Sequence, residues 1–152
     1  MSFVGNFAAA RAYKANAKFN KGLFDLQAKL EQAKTEQNRA IYNNLDRPRL
    51  VKKQDQEYDF IFVRALKSGA EIREGESPYL ALLETRVNQT TDLAIADFNS
   101  RQAYYDGMNQ SLLTAFKGEG ELFKGKVMAQ SELIKGLATA GGNYASTGSL
   151  LG

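Results

Sequence analysis

The stretch SPYLALLETRVNQTTDLAIADFNSRQAYYDGMNQSLLTAFK, residues 77–117, decides the fold class. Apolar or small side chains recur in it every three or four residues, with Arg101 at one position of the stripe. The spacing averages about 3.5 residues, the coiled-coil period, and predicts a helix about 60 Å long. We expect this helix to pack against the other helix of a hairpin in its own chain and against copies of itself. We call the stripe the seam, and its packing residues are Leu80, Leu83, Val87, Ala94, Phe98, Tyr105, Met108 and Leu112.

A reversal of the chain is predicted immediately before this helix, in the segment REGESP at residues 73–78. Gly75 can adopt the left-handed conformation that ends a helix. Ser77 is a favourable N-cap, and Pro78 suits the first helical position, where its missing amide costs nothing. The segment therefore predicts two antiparallel helices that meet near Gly75.

The first arm is predicted to be helical on both sides of Pro48. A helix over about 6–46 has a sparse apolar stripe, and its many polar residues require a partner surface. Proline removes an amide donor and disfavours helix at the preceding residue, so we expect a bend or short break there. A second helical segment follows over about 52–72, with a fuller apolar face. The stripe of the first segment comprises Phe19, Leu23, Leu26, Leu30, Ala33, Ala40 and Ile41.

The end of the chain is rich in small residues. Gly118 and Gly120 lie close together after the seam, and we expect a break or hinge there that ends the return helix at about residue 117. A short helix is predicted over 121–137 and a flexible Gly/Ser/Ala tail over 138–152. The predicted fold is thus a single elongated all-α domain, residues 1–152, built as a long antiparallel, coiled-coil-like hairpin.

Composition removes the usual catalytic groups. The chain has no cysteine and no histidine, so it lacks thiol nucleophiles, disulfides and the commonest general base and metal ligand. Gly118–Gly120 and Gly141–Gly142 lack the strand–loop–helix context of a phosphate-binding loop. We therefore predict a protein that is not an enzyme and has no catalytic, metal or cofactor site. The aromatic residues at helical spacing are better explained by packing between helices or subunits than by stacking on nucleic acid.

The charge is unevenly distributed. Residues 1–53 have eleven basic and four acidic residues, a net charge of +7, whereas the remainder has nine and thirteen, a net charge of −4. Such asymmetry suits either contact with a polyanion, including packaged DNA, or pairing between copies, and a merely solvated basic face is an equal alternative. The possible polyanion contacts cluster around Pro48: Arg47, Arg49, Lys52 and Lys53.

The sequence predicts neither a signal peptide nor a membrane-spanning helix. Residues 1–10 lack the basic and apolar regions of a signal peptide, and no stretch reaches the roughly 20 apolar residues of a membrane-spanning helix. We therefore expect synthesis in the cytosol.

Three short segments resemble the smallest internal virion (inner core) protein of short-tailed, podovirus-type bacteriophages. Residues 74–77 (EGES) are similar to that family's Glu-Gly-x-Ser, and residues 99–104 (NSRQAY) to its Asn-x-Arg-x-x-Tyr, at a similar separation. Residues 144–146 (YAS) resemble a Tyr-Ala-Ser in its small-residue tail. The resemblance covers about residues 25–146.

The resemblance implies a structural role inside the capsid. Members of the family stack as a ring on the portal, next to two larger internal proteins. They leave with or before the genome and help to form a conduit across the host envelope, including the outer membrane. The residues themselves suit a ring, because heterologous contacts between identical rods close cyclically. Two alternatives remain open: a soluble coiled-coil chaperone or scaffold, and a sequence-independent DNA-coating protein.

Overall fold

The computed structural model describes the backbone of residues 3–69 and 72–148, and the side chains of 4–69 and 72–140. Helix α1 spans Phe3–Ile41, a π-helical turn spans Tyr42–Asp46, and helix α2 spans Arg47–Lys67. Helix α3 spans Ser77–Gly148. Every described residue outside 68–76 is helical. Val4–67, the first arm, packs against Ser77–140, the return arm, as a hairpin, so the predicted all-α hairpin is confirmed.

Each arm contributes to two compact units. The terminal unit comprises Met1–Gln32 and Asn109–Gly152, and the turn unit comprises Ala33–Met108. Each unit therefore pairs one segment of the first arm with one segment of the return arm, and each is described here by its own contacts.

The first arm passes Pro48 without leaving the helical conformation. Instead of the expected break, the five residues Tyr42–Asp46 form a π-helical turn, and the Arg47 amide donates to the Tyr42 carbonyl, five residues earlier. Proline lacks an amide hydrogen, and its ring would press on the carbonyl four residues earlier in a regular α-helix. A π-turn absorbs one extra residue in a continuing helix. The predicted break is thus replaced by a local change of helical pitch.

The extra residue in the π-turn also changes which side chains of α2 face the return arm. Regular α-helical spacing from Tyr42 would turn Lys53 and Glu57 inward. After the π-turn, Gln54 and Tyr58 take those inward positions, and they are buried and half-buried. Lys53 and Glu57 are both exposed. The turn therefore keeps two charges out of the contact between the arms.

The chain reverses between two glycines with positive φ. Helix α2 ends at Lys67, five residues before the predicted end. Gly69 follows with a φ of 74°, and its amide donates to the Leu66 carbonyl over 3.1 Å. Gly75 has a φ of 84°, which confirms the predicted left-handed residue. The signal overlooked in the sequence is the Ser68-Gly69 pair, a helix-ending combination.

The start of α3 is shifted by one position from the predicted capping pattern. The Leu80 amide donates to the Glu76 carbonyl over 3.0 Å, so Glu76 occupies the cap position. Ser77 is then the first helical residue and Pro78 the second. Proline is still harmless there, because first-turn amides have no helical acceptor.

The positive φ of Gly75 makes a substitution testable. We expect Gly75→Val to lower the free energy of unfolding by about 2 kcal/mol, because a β-branched side chain is strained in the left-handed region. Glu76→Val is the control, since the described non-glycine residues all have negative φ. Thermal unfolding followed by circular dichroism measures both. Equal melting temperatures for the two variants would contradict this account of the turn.

The return arm is one helix rather than two helices and a tail. Helix α3 continues through Gly118 and Gly120, where a hinge was predicted, and reaches Gly148. The hinge prediction is wrong at Gly118 for a packing reason, since a Cβ there would lie 2.9 Å from Phe24 Cβ. Residues 138–148, predicted as the first part of a flexible tail, continue α3 as helix, and residues 149–152 lie outside the described part of the chain.

Candidate assembly surface

In the terminal unit, the two arms meet through small side chains. Those of the first arm are Ala10, Ala17 and Ala28, and those of the return arm are Ser111, Thr114, Gly118, Gly125 and Ala129, all buried. Most of these residues are three, four or seven positions from the next, which places each set on one helix face. Small residues at such positions allow the two backbones to approach closely.

Gly125 marks the closest approach between the arms of the terminal unit. A Cβ atom built there would overlap the Ala17 methyl group and would lie 3.1 Å from the Tyr13 carbonyl oxygen. In the turn unit, Gly107 has the same role, since a Cβ there would overlap the Thr35 side chain. The glycines of the return arm thus have a steric function at these two positions.

This mode of packing buries little apolar surface. The buried apolar residues in the described chain are Leu82 and four alanines: Ala10, Ala17, Ala28 and Ala129. Each buried methyl group contributes about 0.8 kcal/mol, against about 1.5–3 kcal/mol for a large aliphatic or aromatic side chain. Most of the hydrophobic stabilisation that this sequence could supply is therefore not used within the hairpin.

Polar contacts set the register of the terminal unit. The Ser111 hydroxyl donates to the Ala28 carbonyl over 2.9 Å, and the Thr114 hydroxyl donates to Glu31 Oε2 over 2.8 Å. Lys21 Nζ lies 3.1 Å from Glu119 Oε1 on the opposite arm. A shift of one helical turn would break all three contacts, so they favour a single alignment of the two arms.

Two buried glutamines set the register of the turn unit. The Gln54 side-chain amide donates to the Gln89 backbone carbonyl over 3.0 Å, and the Gln89 amide donates to the Gln54 carbonyl over 2.6 Å. The two residues are 9% and 7% exposed. A buried amide is costly unless it is hydrogen-bonded, so this reciprocal pair disfavours other alignments.

A second polar cluster lies beside the π-turn. The Tyr42 hydroxyl donates to Asp97 Oδ1 over 2.7 Å, and Arg47 Nε donates to the same oxygen over 2.9 Å. Two hydrogen bonds lower the pKa of Asp97: the one from Arg47 has the larger effect and the one from Tyr42 the smaller. Burial of the phenol, and to a smaller extent its hydrogen bond to Asp97, raises the pKa of Tyr42 to about 12. The π-turn thus places a tyrosine and an arginine on one carboxylate of the return arm.

The raised pKa of Tyr42 predicts a loss of stability in alkali. The folded pKa, about 12, lies above the ordinary value of 10.0, so folding favours the neutral phenol. This contribution is fully present below pH 10 and is lost as the pH rises from about 10 to 12. Chemical unfolding from pH 8 to 12 should show a steeper loss for the wild type than for Tyr42→Phe, which retains the other tyrosines. Parallel curves for the two proteins would contradict the prediction.

Two further arginines of the turn unit, Arg39 and Arg86, also contact the opposite arm. Arg39 stacks over the Tyr104 ring at 4.3 Å, and Arg86 lies 3.9 Å from the Tyr58 ring centroid. Arg86 Nη1 also lies 2.9 Å from Asp55 Oδ1. These contacts combine an ion pair with cation–π attraction and hold the arms together.

The predicted polyanion cluster is divided by these contacts. Arg47 is bound to Asp97 within the turn unit, whereas Arg49, Lys52 and Lys53 are exposed on α2. All four side chains are exposed, but the Arg47 charge is paired with Asp97, and contact of the cluster with a polyanion stays a prediction.

The seam of large apolar residues lies outside the contact between the arms. Leu80 and Phe98 lie nine residues before and after the buried Gln89. Nine residues are two and a half helical turns, so both point away from the first arm. Leu80 is 51% and Phe98 63% exposed. The other seam residues Leu83, Val87, Ala94, Tyr105 and Leu112 are also exposed, and Met108 is half-buried.

The terminal unit has large apolar side chains on both outer sides. On the first arm, Phe19 lies nine residues from both Ala10 and Ala28, and it is 67% exposed. On the return arm, Phe116 and Ile134 lie nine residues before and after Gly125 and are also exposed. Each arm therefore has a small-residue face toward the hairpin partner and a large-residue face toward solvent.

Sequence reasoning assigned the inner contact to the wrong side chains because it followed the largest apolar residues. The seam was predicted to pack against the opposite arm of its own chain as well as against copies of the chain. Because most seam residues are exposed, only their contact with copies stays a prediction. The signal for the inner face was the series of small residues at helical spacing in 107–129. Their burial requires a second helix close by, which the sequence does not display.

Neither a metal-binding cluster nor a membrane-spanning helix is present in the described residues. Among them, no group of three or more acidic side chains could hold a metal ion. Within the same part of the chain, no helix is long and apolar enough to cross a membrane. The absence of enzymatic activity stays a prediction from composition.

No protein-family model, curated protein or solved structure matches this chain.

Proposed function

We propose that this protein is a structural subunit that assembles with copies of itself and with larger proteins. The observation that carries the proposal is the contrast between the two faces of each arm. The inner face of the terminal unit consists mainly of alanine, glycine, serine and threonine, and that of the turn unit includes the Gln54–Gln89 pair. By contrast, Leu80, Phe98 and Phe116 are all more than half exposed. Contiguous exposed apolar surface of this kind typically marks a protein–protein interface.

The location that we propose for this assembly is the interior of a bacteriophage virion. The three short segments that resemble the inner core protein of short-tailed phages support this location. The subunits would stack as a ring on the portal, in contact with the larger internal proteins. They would be ejected to help form the conduit for the genome across the host envelope.

Quantitative mass spectrometry of purified virions, before and after triggered DNA release, tests this proposal. We expect the protein in full particles and a depletion of at least tenfold from emptied ones, with the major capsid protein as the internal control. Its absence from full particles would overturn the proposal and favour a chaperone or scaffold that acts outside the virion. Its retention in emptied particles would overturn ejection alone.

A DNA-coating function is a second candidate, and one observation favours it. Arg49, Lys52 and Lys53 are exposed together on α2. Binding through phosphates would be independent of sequence and would weaken steeply with salt. Fluorescence anisotropy with duplex DNA at 50 and 200 mM salt separates the two functions, because a purely structural subunit would show no such binding at either concentration.

A further inference from the structure

The turn unit has two outer faces that differ in charge. The first-arm face is the outer side of α2, defined by Phe60 and Val63 together with Arg49, Lys52 and Lys67. The return-arm face is the outer side of α3, defined by Leu80, Val87, Phe98 and Tyr105 together with Glu84 and Arg101. Val63 lies nine residues after the buried Gln54, as Phe98 lies nine after Gln89, so each face points away from the hairpin contact.

Both faces expose large apolar side chains. Phe60 is 66% and Val63 45% exposed on the first-arm face. On the return-arm face, Val87 is 56% and Tyr105 63% exposed. Such side chains dominate the energetics of interfaces, since each gains stability when it leaves water.

The charges of the two arms favour contact between unlike faces. Within the turn unit, residues 33–67 have eight basic and five acidic residues, a net charge of +3. Residues 77–108 have two basic and four acidic residues, a net charge of −2. Pairing of two first-arm faces would bring Arg49, Lys52 and Lys67 of both copies together. Pairing of a first-arm face with a return-arm face avoids this like-charge contact and joins a segment of net positive charge to one of net negative charge.

We propose that the first-arm face of one copy binds the return-arm face of the next copy, which is a heterologous contact between identical chains. This inference rests on the proposed function and specifies the surfaces by which the subunits assemble. Since the two faces lie on opposite sides of the turn unit, each copy binds two neighbours, one through each face. Repetition of a heterologous contact yields a ring when the rotation closes.

Two face variants of the full chain test this pairing. Phe60→Glu with Val63→Glu blocks the first-arm face, and Leu80→Glu with Phe98→Glu blocks the return-arm face. Each should raise the dissociation constant between copies by roughly 100-fold or more. Analytical ultracentrifugation should show that the wild type forms a larger oligomer and that each variant alone is a monomer. An equimolar mixture of the variants should form a dimer, because it contains one intact pair of faces.

The opposite results would overturn the inference. Dimers of either variant alone would indicate pairing of like faces, and wild-type-sized oligomers of either variant would show that these faces are not the interface. Circular dichroism checks that each variant keeps the wild-type helix content. If a variant loses helix content, the same positions are replaced by Gln instead of Glu. A wild type that is monomeric at every concentration would also overturn the inference, whereas mass spectrometry of virions decides the proposed function separately.

Discussion

Replacement of Gly125 by leucine is expected to separate the two arms of the terminal unit. A Cβ atom alone would overlap Ala17 and approach the Tyr13 carbonyl oxygen to 3.1 Å, and both obstacles belong to the opposite helix. Because the backbone of a packed helix cannot move locally, the whole contact has to widen. Overpacking of this kind costs about 1–3 kcal/mol, and the loss of the Ser111 and Thr114 hydrogen bonds, three to four turns away along the same contact, would add to it.

The matched control for this variant is Gly120→Ala on the same helix. A Cβ at Gly120 meets no atom within 4 Å, so alanine adds only helix propensity. We expect it to leave stability unchanged or raise it by up to about 1 kcal/mol. Urea unfolding followed by circular dichroism measures both variants. If Gly125→Leu were as stable as the control, the close approach of the two arms would be refuted.

Replacement of Gln54 by glutamate is expected to have the second large effect. The two side chains have nearly the same shape, but the carboxylate has no hydrogen to donate to the Gln89 carbonyl, which lies 3.0 Å from Gln54 Nε2. An unpaired charge would then be buried next to a carbonyl oxygen. The expected loss is about 3 kcal/mol at neutral pH, the cost typical of an uncompensated buried charge.

The effect of Gln54→Glu should depend on pH in a defined direction. Burial would raise the pKa of the introduced carboxyl in the folded protein above its unfolded value, about 4.3. The full loss of stability therefore applies at pH values above the folded pKa. It disappears as the pH falls below the unfolded pKa, because the carboxyl is then protonated in both states. Gln56→Glu, at an exposed position two residues later, is the control at each pH. Chemical unfolding at pH 4 and pH 7 distinguishes them. A deficit that is equal at both pH values would argue against the buried amide pair.

The contrast between Phe98 and Gly125 shows how far sequence reasoning reached. Apolar spacing correctly indicated that the segment around Phe98 is helical, since local periodicity is a property of the chain itself. It did not indicate which face of that helix meets the first arm. Large apolar residues are usually buried, and that expectation outweighed the weaker signal of glycines at regular spacing. The assignment of Phe98 to an interface between copies is untouched by this and stays a prediction.

The helical character of the chain and the place of its reversal follow from the amino-acid sequence alone. Periodicity, the rarity of proline and a glycine suited to positive φ at position 75 are local properties, and they act before any distant contact forms. Two outcomes required the packing of the arms: small residues form the inner face, and Gly118 lies within a helix. Both depend on the distance between two helices, which is set by residues up to about a hundred positions apart in the sequence, such as Ala17 and Gly125. The π-turn that replaces a break at Pro48 is a local response to proline, but several local responses are possible and the structure shows which one forms.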